Sequence, residues 1–202
     1  MTDPLICCLE GPDGCGKTSV ARELERGWGA VYLRCPGGTR LGELLRGPLK
    51  DPAFELGEEA MALAFAAVDV DCMRRAENLR LTGLRVVMDR CGVSNLAYRI
   101  AMRQAEGADI CKVLEGWARQ PSWSQVVFLE ADDSTLDARI AARGGEVPDR
   151  FDSLGKKVRE AYRDQEVGRG GDEIVFCDAS ESIEAVARRV AEVVGWGPAI
   201  PR

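Results

Sequence analysis

The stretch from Leu5 to Arg26 constrains this chain more than any other. An unbroken apolar run, Leu5-Ile6-Cys7-Cys8-Leu9, leads through Glu10 into Gly11-Pro12-Asp13-Gly14-Cys15-Gly16-Lys17-Thr18, and the residues from about Lys17 to Arg26 predict a helix. A short run that is apolar at every position suits a strand covered on both faces, as in a parallel sheet. The loop matches the pattern G-x-x-x-x-G-K-[ST]. Glycines let main-chain amides come close to an anion, and the helix start points its positive end at the same place. A lysine there neutralises terminal phosphates, and the following hydroxyl can hold Mg2+. An ordinary glycine turn is the competing reading. The strand before and helix after favour a nucleoside triphosphate site made by Gly11, Pro12, Asp13, Gly14, Cys15, Gly16, Lys17, Thr18 and Ser19.

The rest of the chain repeats the alternation. Ala30–Leu33, Arg85–Met88, Gln125–Leu129 and Glu173–Cys177 predict four more strands. Helices are expected at Arg40–Arg46 (stopped near Gly47-Pro48), Glu58–Leu81 (ended by Gly83), Ser94–Gln104, Asp109–Arg119, Ser134 to about Arg143, Leu154–Glu166 and Ser182–Val194. Five buried strands interleaved with helices predict a three-layer α/β fold, a five-stranded parallel sheet flanked by helices, in one domain spanning residues 1–202. The final residues from Trp196 read as a tail.

Composition removes several classes. The chain has no histidine, which excludes Ser-His-Asp and Cys-His catalysis. Its eight cysteines form no C-x-x-C pair, so they read as reduced packing residues of a cytoplasmic protein. No apolar run reaches the roughly 18 residues of a membrane span. A net charge of −6 argues against a surface for stable nucleic-acid binding.

A set of later motifs resembles one family, thymidylate kinase. Leu9-Glu10-Gly11 through Thr18 is similar to its E-G-x-D-G-x-G-K-[ST] opening, Arg34-Cys35-Pro36-Gly37-Gly38-Thr39 to its R-E-P-G-G-T, and Leu63-Ala64-Phe65-Ala66-Ala67 to its L-F-A-A helix. Asp89-Arg90 with Ser94-Asn95-Leu96-Ala97-Tyr98 resembles its D-R…S-[SN]-x-A-Y segment. Arg139, Arg143-Gly144 and Asp149-Arg150-Phe151 resemble its lid, and Asp178-Ala179-Ser180 a late D-A-S near the adenine pocket. The resemblance implies a P-loop NTPase fold with a short lid at about 142–152, ATP and Mg2+ as cofactors, a nucleoside monophosphate acceptor and a homodimer.

It also implies roles. Lys17, Arg143 and Arg150 stabilise the transferring phosphoryl, Arg90 grips the acceptor phosphate, and Thr18 and Asp89 serve the metal. Asp13 meets the acceptor sugar and Mg2+. Arg139 and Asp178 lie on the ATP side. Arg34, Pro36, Phe65, Asp69, Ser94, Asn95 and Tyr98 form the acceptor pocket. Core packing competes for Phe65 and Tyr98, helix capping for Ser94 and Asn95, and a solvated charge run for the lid arginines.

The departures fall on the acceptor side. Val68-Asp69 stands where the family has Asp-Arg, Cys35 replaces a glutamate, Cys91 an aromatic and Arg99 a glutamine. An aspartate accepts hydrogen bonds where an arginine donates them, so a base with an exocyclic amine suits Asp69. Two alternatives stay open. One is a kinase of a hydroxyl acceptor, such as a nucleoside or a hydroxymethylated base in DNA, with Glu10 or Asp89 as its carboxylate. The other is a non-catalytic nucleotide-binding module.

Overall fold

The computed structural model describes residues 6–102, 124–142, 154–163 and 174–197. Five strands form one parallel sheet: β1 (Ile6–Glu10), β2 (Val31–Arg34), β3 (Val86–Asp89), β4 (Ser124–Glu130) and β5 (Ile174–Asp178), in the order β2-β3-β1-β4-β5. The helices are α1 (Lys17–Trp28), α2 (Arg40–Lys50), α3 (Glu58–Leu81), α4 (Gly92–Ala101), α5 (Asp133–Ala142), α6 (Gly155–Arg163) and α7 (Ile183–Val193).

Alternation along the strands divides the core. Ile6, Cys8, Met88, Val126 and Phe128 face one layer, with Ala62, Ala66 and Cys72 of α3, Leu96 of α4 and Tyr162 of α6. Cys7, Leu9, Val87, Val127 and Leu129 face the other, with Val20 and Leu24 of α1 and Val186, Ala187 and Val190 of α7. All five residues of β1 are buried, as the apolar run predicts for Ile6–Leu9, and the carboxylate of Glu10 is buried with them. The seven cysteines among the described residues are buried and unlinked, in agreement with their reading as packing groups.

Parallel strands place every carboxyl end on one edge of the sheet. The order reverses at β1, between β3 and β4, which opens a crevice beyond those ends. The loop after β1 and the turn after β3 both enter that crevice.

Four local expectations need correction. Helix α2 continues through Pro48 to Lys50 instead of stopping at Gly47-Pro48. The proline deletes one intrahelical bond, but the neighbouring turn is open to water, with Leu44 67% exposed, so solvent can meet the freed carbonyl. The cap of α5 is Asp132, not Ser134: the Asp132 carboxylate accepts from the Thr135 amide at 2.7 Å and the Ser134 hydroxyl at 2.5 Å. α4 begins at Gly92, two residues before the expected Ser94. The chain end is anchored as far as Gly197, since Trp196 is buried and Trp28 Nε1 donates to the Gly197 carbonyl at 3.0 Å. The expected helix at 109–119 and lid at about 142–152 lie outside the described residues, save for residue 142 at the end of α5.

Candidate functional site

The loop between β1 and α1 turns through three left-handed glycines, Gly11 (φ 137°), Gly14 (φ 88°) and Gly16 (φ 93°). A Cβ on Gly11 would stand 2.3 Å from the Leu129 carbonyl oxygen, so the loop seats directly on β4. A Cβ on Gly16 would meet nothing within 4 Å, so there the backbone borders open space at the helix start. That combination of a bare backbone, a helix N-terminus and a lysine fits an anionic phosphate chain. Lys17 is nearly buried and donates to the carbonyls of Gly11 at 2.9 Å and Pro12 at 2.7 Å, with Asp13 3.8 Å away. Thr18 Oγ1 donates to Asp89 Oδ2 at 2.6 Å, joining α1 to the end of β3. Tyr32 reaches the same carboxylate oxygen at 3.3 Å.

Arg90 follows β3 and takes a left-handed backbone conformation, φ 73°, the one non-glycine with positive φ among the described residues. Such strain persists only where surroundings enforce it. Here the Arg90 amide donates to Leu9 O at 2.9 Å, and its guanidinium donates to Asp13 Oδ1 at 2.8 Å and Ser94 Oγ at 3.2 Å. The Tyr98 ring centroid lies 5.4 Å from the guanidinium carbon. Burial pushes the Asp13 carboxyl upward, but Arg90 and Lys17 more than reverse this and hold it well below the usual carboxylate range.

Behind Arg90 sits Glu10, fully buried. It accepts from the Cys91 amide at 2.8 Å, Ser94 Oγ at 2.5 Å and the Tyr162 hydroxyl at 2.7 Å, and Arg90 NH1 lies 3.9 Å away. Burial, with Glu10 beside it, pushes the Tyr162 phenol up, so Tyr162 is a neutral donor.

These groups open onto a cavity of about 510 Å³. Asp13, Lys17, Thr18, Asp89 and Arg90 line it. Arg34, Pro36, Phe65, Asp69, Ser94, Asn95 and Tyr98 line it too, so the segments expected to hold an acceptor do converge. Arg34 turns from there to Glu43, 3.0 Å away, and Asn95 donates to the Ala62 carbonyl at 3.1 Å. Asp178 binds its own turn through the Ser180 amide at 2.9 Å, and neither it nor Arg139 lines this cavity. Arg143 and Arg150 lie outside the described residues. The helices on either side of that segment are tied by Arg159 to Asp133 at 2.6 Å.

The sequence reading missed Arg46, Lys50, Tyr32 and Tyr162. Arg46 and Lys50 line the cavity one helical turn apart, and Arg46 donates to the Pro36 carbonyl at 2.6 Å. Their i, i+4 spacing was the available signal, hidden by stopping α2 at Pro48.

Asp69 has the most unusual environment. Burial raises its carboxyl to about 7, and Glu10 adds to the rise, against smaller opposing pulls from Cys35 and Asn95. The folded state keeps a proton between about pH 4 and 7 that the unfolded chain has released, so this group's contribution falls as pH rises through that window and is flat above it. Asp69→Asn removes the titration. Its gain in melting temperature over wild type is expected to be larger at pH 8 than at pH 5, by about 5 °C, from roughly 2 kcal/mol of linkage. Equal gains at both values by thermal unfolding would contradict the assignment.

The glycine loop after β1 and Arg90 after β3 face one cavity beyond a β2-β3-β1-β4-β5 parallel sheet, the arrangement of the P-loop NTPase fold. A family model described as thymidylate kinase matches residues 9–190, and the chain belongs to the thymidylate kinase family. It is similar to the thymidylate kinase of Alkalilimnicola ehrlichii, 34% identical over 209 aligned positions covering 96% of this chain and 94% of that protein. It is also similar to the thymidylate kinase of Campylobacter concisus, 28% identical with 93% and 97% covered. A probable thymidylate kinase of Pyrobaculum aerophilum is 32% identical with 92% and 94% covered. The solved thymidylate kinase of Candida albicans shares the fold, with a TM-score of 0.76, 19% identity and 96% and 92% of the two chains covered. No helix among the described residues is long and apolar enough to cross a membrane.

Proposed function

We propose that this chain transfers the γ-phosphoryl group of ATP to dTMP. The observation that carries the reading is the 2.8 Å bond from Arg90, the acceptor-side cation, to Asp13 inside the phosphate-binding loop. The bond supports a reading in which donor and acceptor are held in one cavity.

The chemistry follows from charge. Phosphoryl transfer needs charge neutralised and reactants held in line. The loop amides and Lys17 hold the ATP phosphates, and Arg90 aligns the acceptor phosphate. Thr18 and Asp89 bring two oxygens to 2.6 Å at the loop, a hard donor set that fits Mg2+. Bound there, Mg2+ supplies charge neutralisation on the ATP oxygens. Asp13 orients the acceptor sugar beside Arg90. Phe65 stacks on the base, and Tyr98 packs under the sugar beneath the Arg90 guanidinium. In this reading Arg143 and Arg150 supply the remaining positive charge for the transferring phosphoryl. A homodimer in the cytoplasm belongs to the same reading, with Ala60, Leu63 and Ala67 exposed along α3.

A phosphate acceptor arrives already anionic, so no general base is required. Both carboxylates that a hydroxyl acceptor would call on are occupied. Glu10 holds Cys91, Ser94 and Tyr162, and Asp89 holds Thr18 and Tyr32. This disfavours the hydroxyl-acceptor alternative.

The test is a panel of nucleoside monophosphates with ATP and Mg2+, read by ADP release. Turnover of dTMP at about 1–100 per second is expected. ATP binding without release for any monophosphate would defeat the proposal.

A further inference from the structure

The cavity wall holds one carboxylate that phosphoryl transfer leaves unused. Asp69 lines the cavity from the middle of α3, and Cys35, which also lines it, donates its thiol hydrogen to Asp69 Oδ1 at 2.9 Å. A hydrogen bond with Cys72, and burial, keep Cys35 a thiol, which is a weak donor. The other oxygen, Oδ2, is shut off from solvent and makes no hydrogen bond. Asn95 donates one amide hydrogen to Ala62 O at 3.1 Å, and its second hydrogen exerts only a weak pull toward the charged form of Asp69. Arg99, on the same wall, donates to Glu58 O at 3.2 Å.

An unfilled buried acceptor is costly, and a carboxylate that turns to exchange its weak thiol bond for a ligand N–H recovers that cost. Phe65 lines the same cavity and offers an aromatic face for a flat base. A cytosine-type base carries an amine at position 4, where thymine carries a carbonyl acceptor.

We propose that Asp69 reads the acceptor base through an N–H donor, and that the acceptor range therefore includes pyrimidine deoxynucleoside monophosphates with a 4-amino group. The proposal rests on the kinase reading above.

The probe is 5-methyl-dCMP beside dTMP. Both bases carry the 5-methyl group, and they differ at the edge bearing position 4. With ATP and Mg2+ at pH 8, where Asp69 is ionised, wild type is expected to give kcat/KM values for the two within about tenfold of each other. Asp69→Arg, which replaces acceptor by donor, is expected to shift their ratio at least about tenfold toward dTMP, and Asp69→Asn to shift it less. Efficient dTMP turnover with 5-methyl-dCMP rejected about a thousandfold would overturn the proposal while leaving the kinase reading intact. So would an unchanged ratio in a folded Asp69→Arg protein. Wild type inert toward both nucleotides would sink both readings. The wild-type comparison decides even if a variant fails to fold.

Discussion

Replacing Lys17 with alanine is expected to lower kcat for phosphoryl transfer by about a thousandfold. The ammonium is nearly buried and already held by the Gly11 and Pro12 carbonyls, at 2.9 and 2.7 Å, so its charge is fixed before substrate arrives. A charge fixed in advance needs no reorganisation during the reaction, which is why its removal should weigh on kcat more than on ATP affinity. The loop should keep its shape, because the left-handed glycines and their seat against β4 set it. Single-turnover kinetics with an ATP-binding titration check this. A variant that transfers phosphate at more than about a tenth of the wild-type rate would refute the role.

The second large effect is at Arg90. Arg90→Ala is expected to cut kcat/KM for the acceptor by about a thousandfold while changing the KM for ATP little. The same change leaves Asp13 and the buried Glu10 without their shared cation, so a fall in melting temperature should accompany the loss. Arg90→Lys separates the two effects. It restores a charge but not the fork that meets Asp13 and Ser94 together, so stability should recover more than activity. Equal losses in the ATP and acceptor parameters would mean that Arg90 acts only through the fold.

Much of this was legible because the requirements are local. Residues 11–18 must present amides to phosphate, and only glycines at set spacings allow it. The strand that precedes them is apolar from Ile6 to Leu9 and ends in the buried Glu10. The members of the acceptor wall were legible through resemblance, residue by residue, and they do line one cavity. What escaped depends on distant partners. Tyr162 meets Glu10 across 152 positions of chain, and nothing near either residue signals the other. Arg46 and Lys50 were lost because a proline usually ends a helix, while an exposed turn tolerates it. Asp69 could be placed, but its shielded oxygen and raised pKa follow from packing around Cys35, Asn95 and Glu10.

The bond from the Arg90 amide to Leu9 O, with Leu9 paired to Asp89, ties the backbone of Arg90 to the strand that leads into the glycine loop. The two backbones therefore start about 4.8 Å apart, one strand spacing. Core substitutions that shear β3 along β1 would detune the reaction without touching a single residue of the cavity.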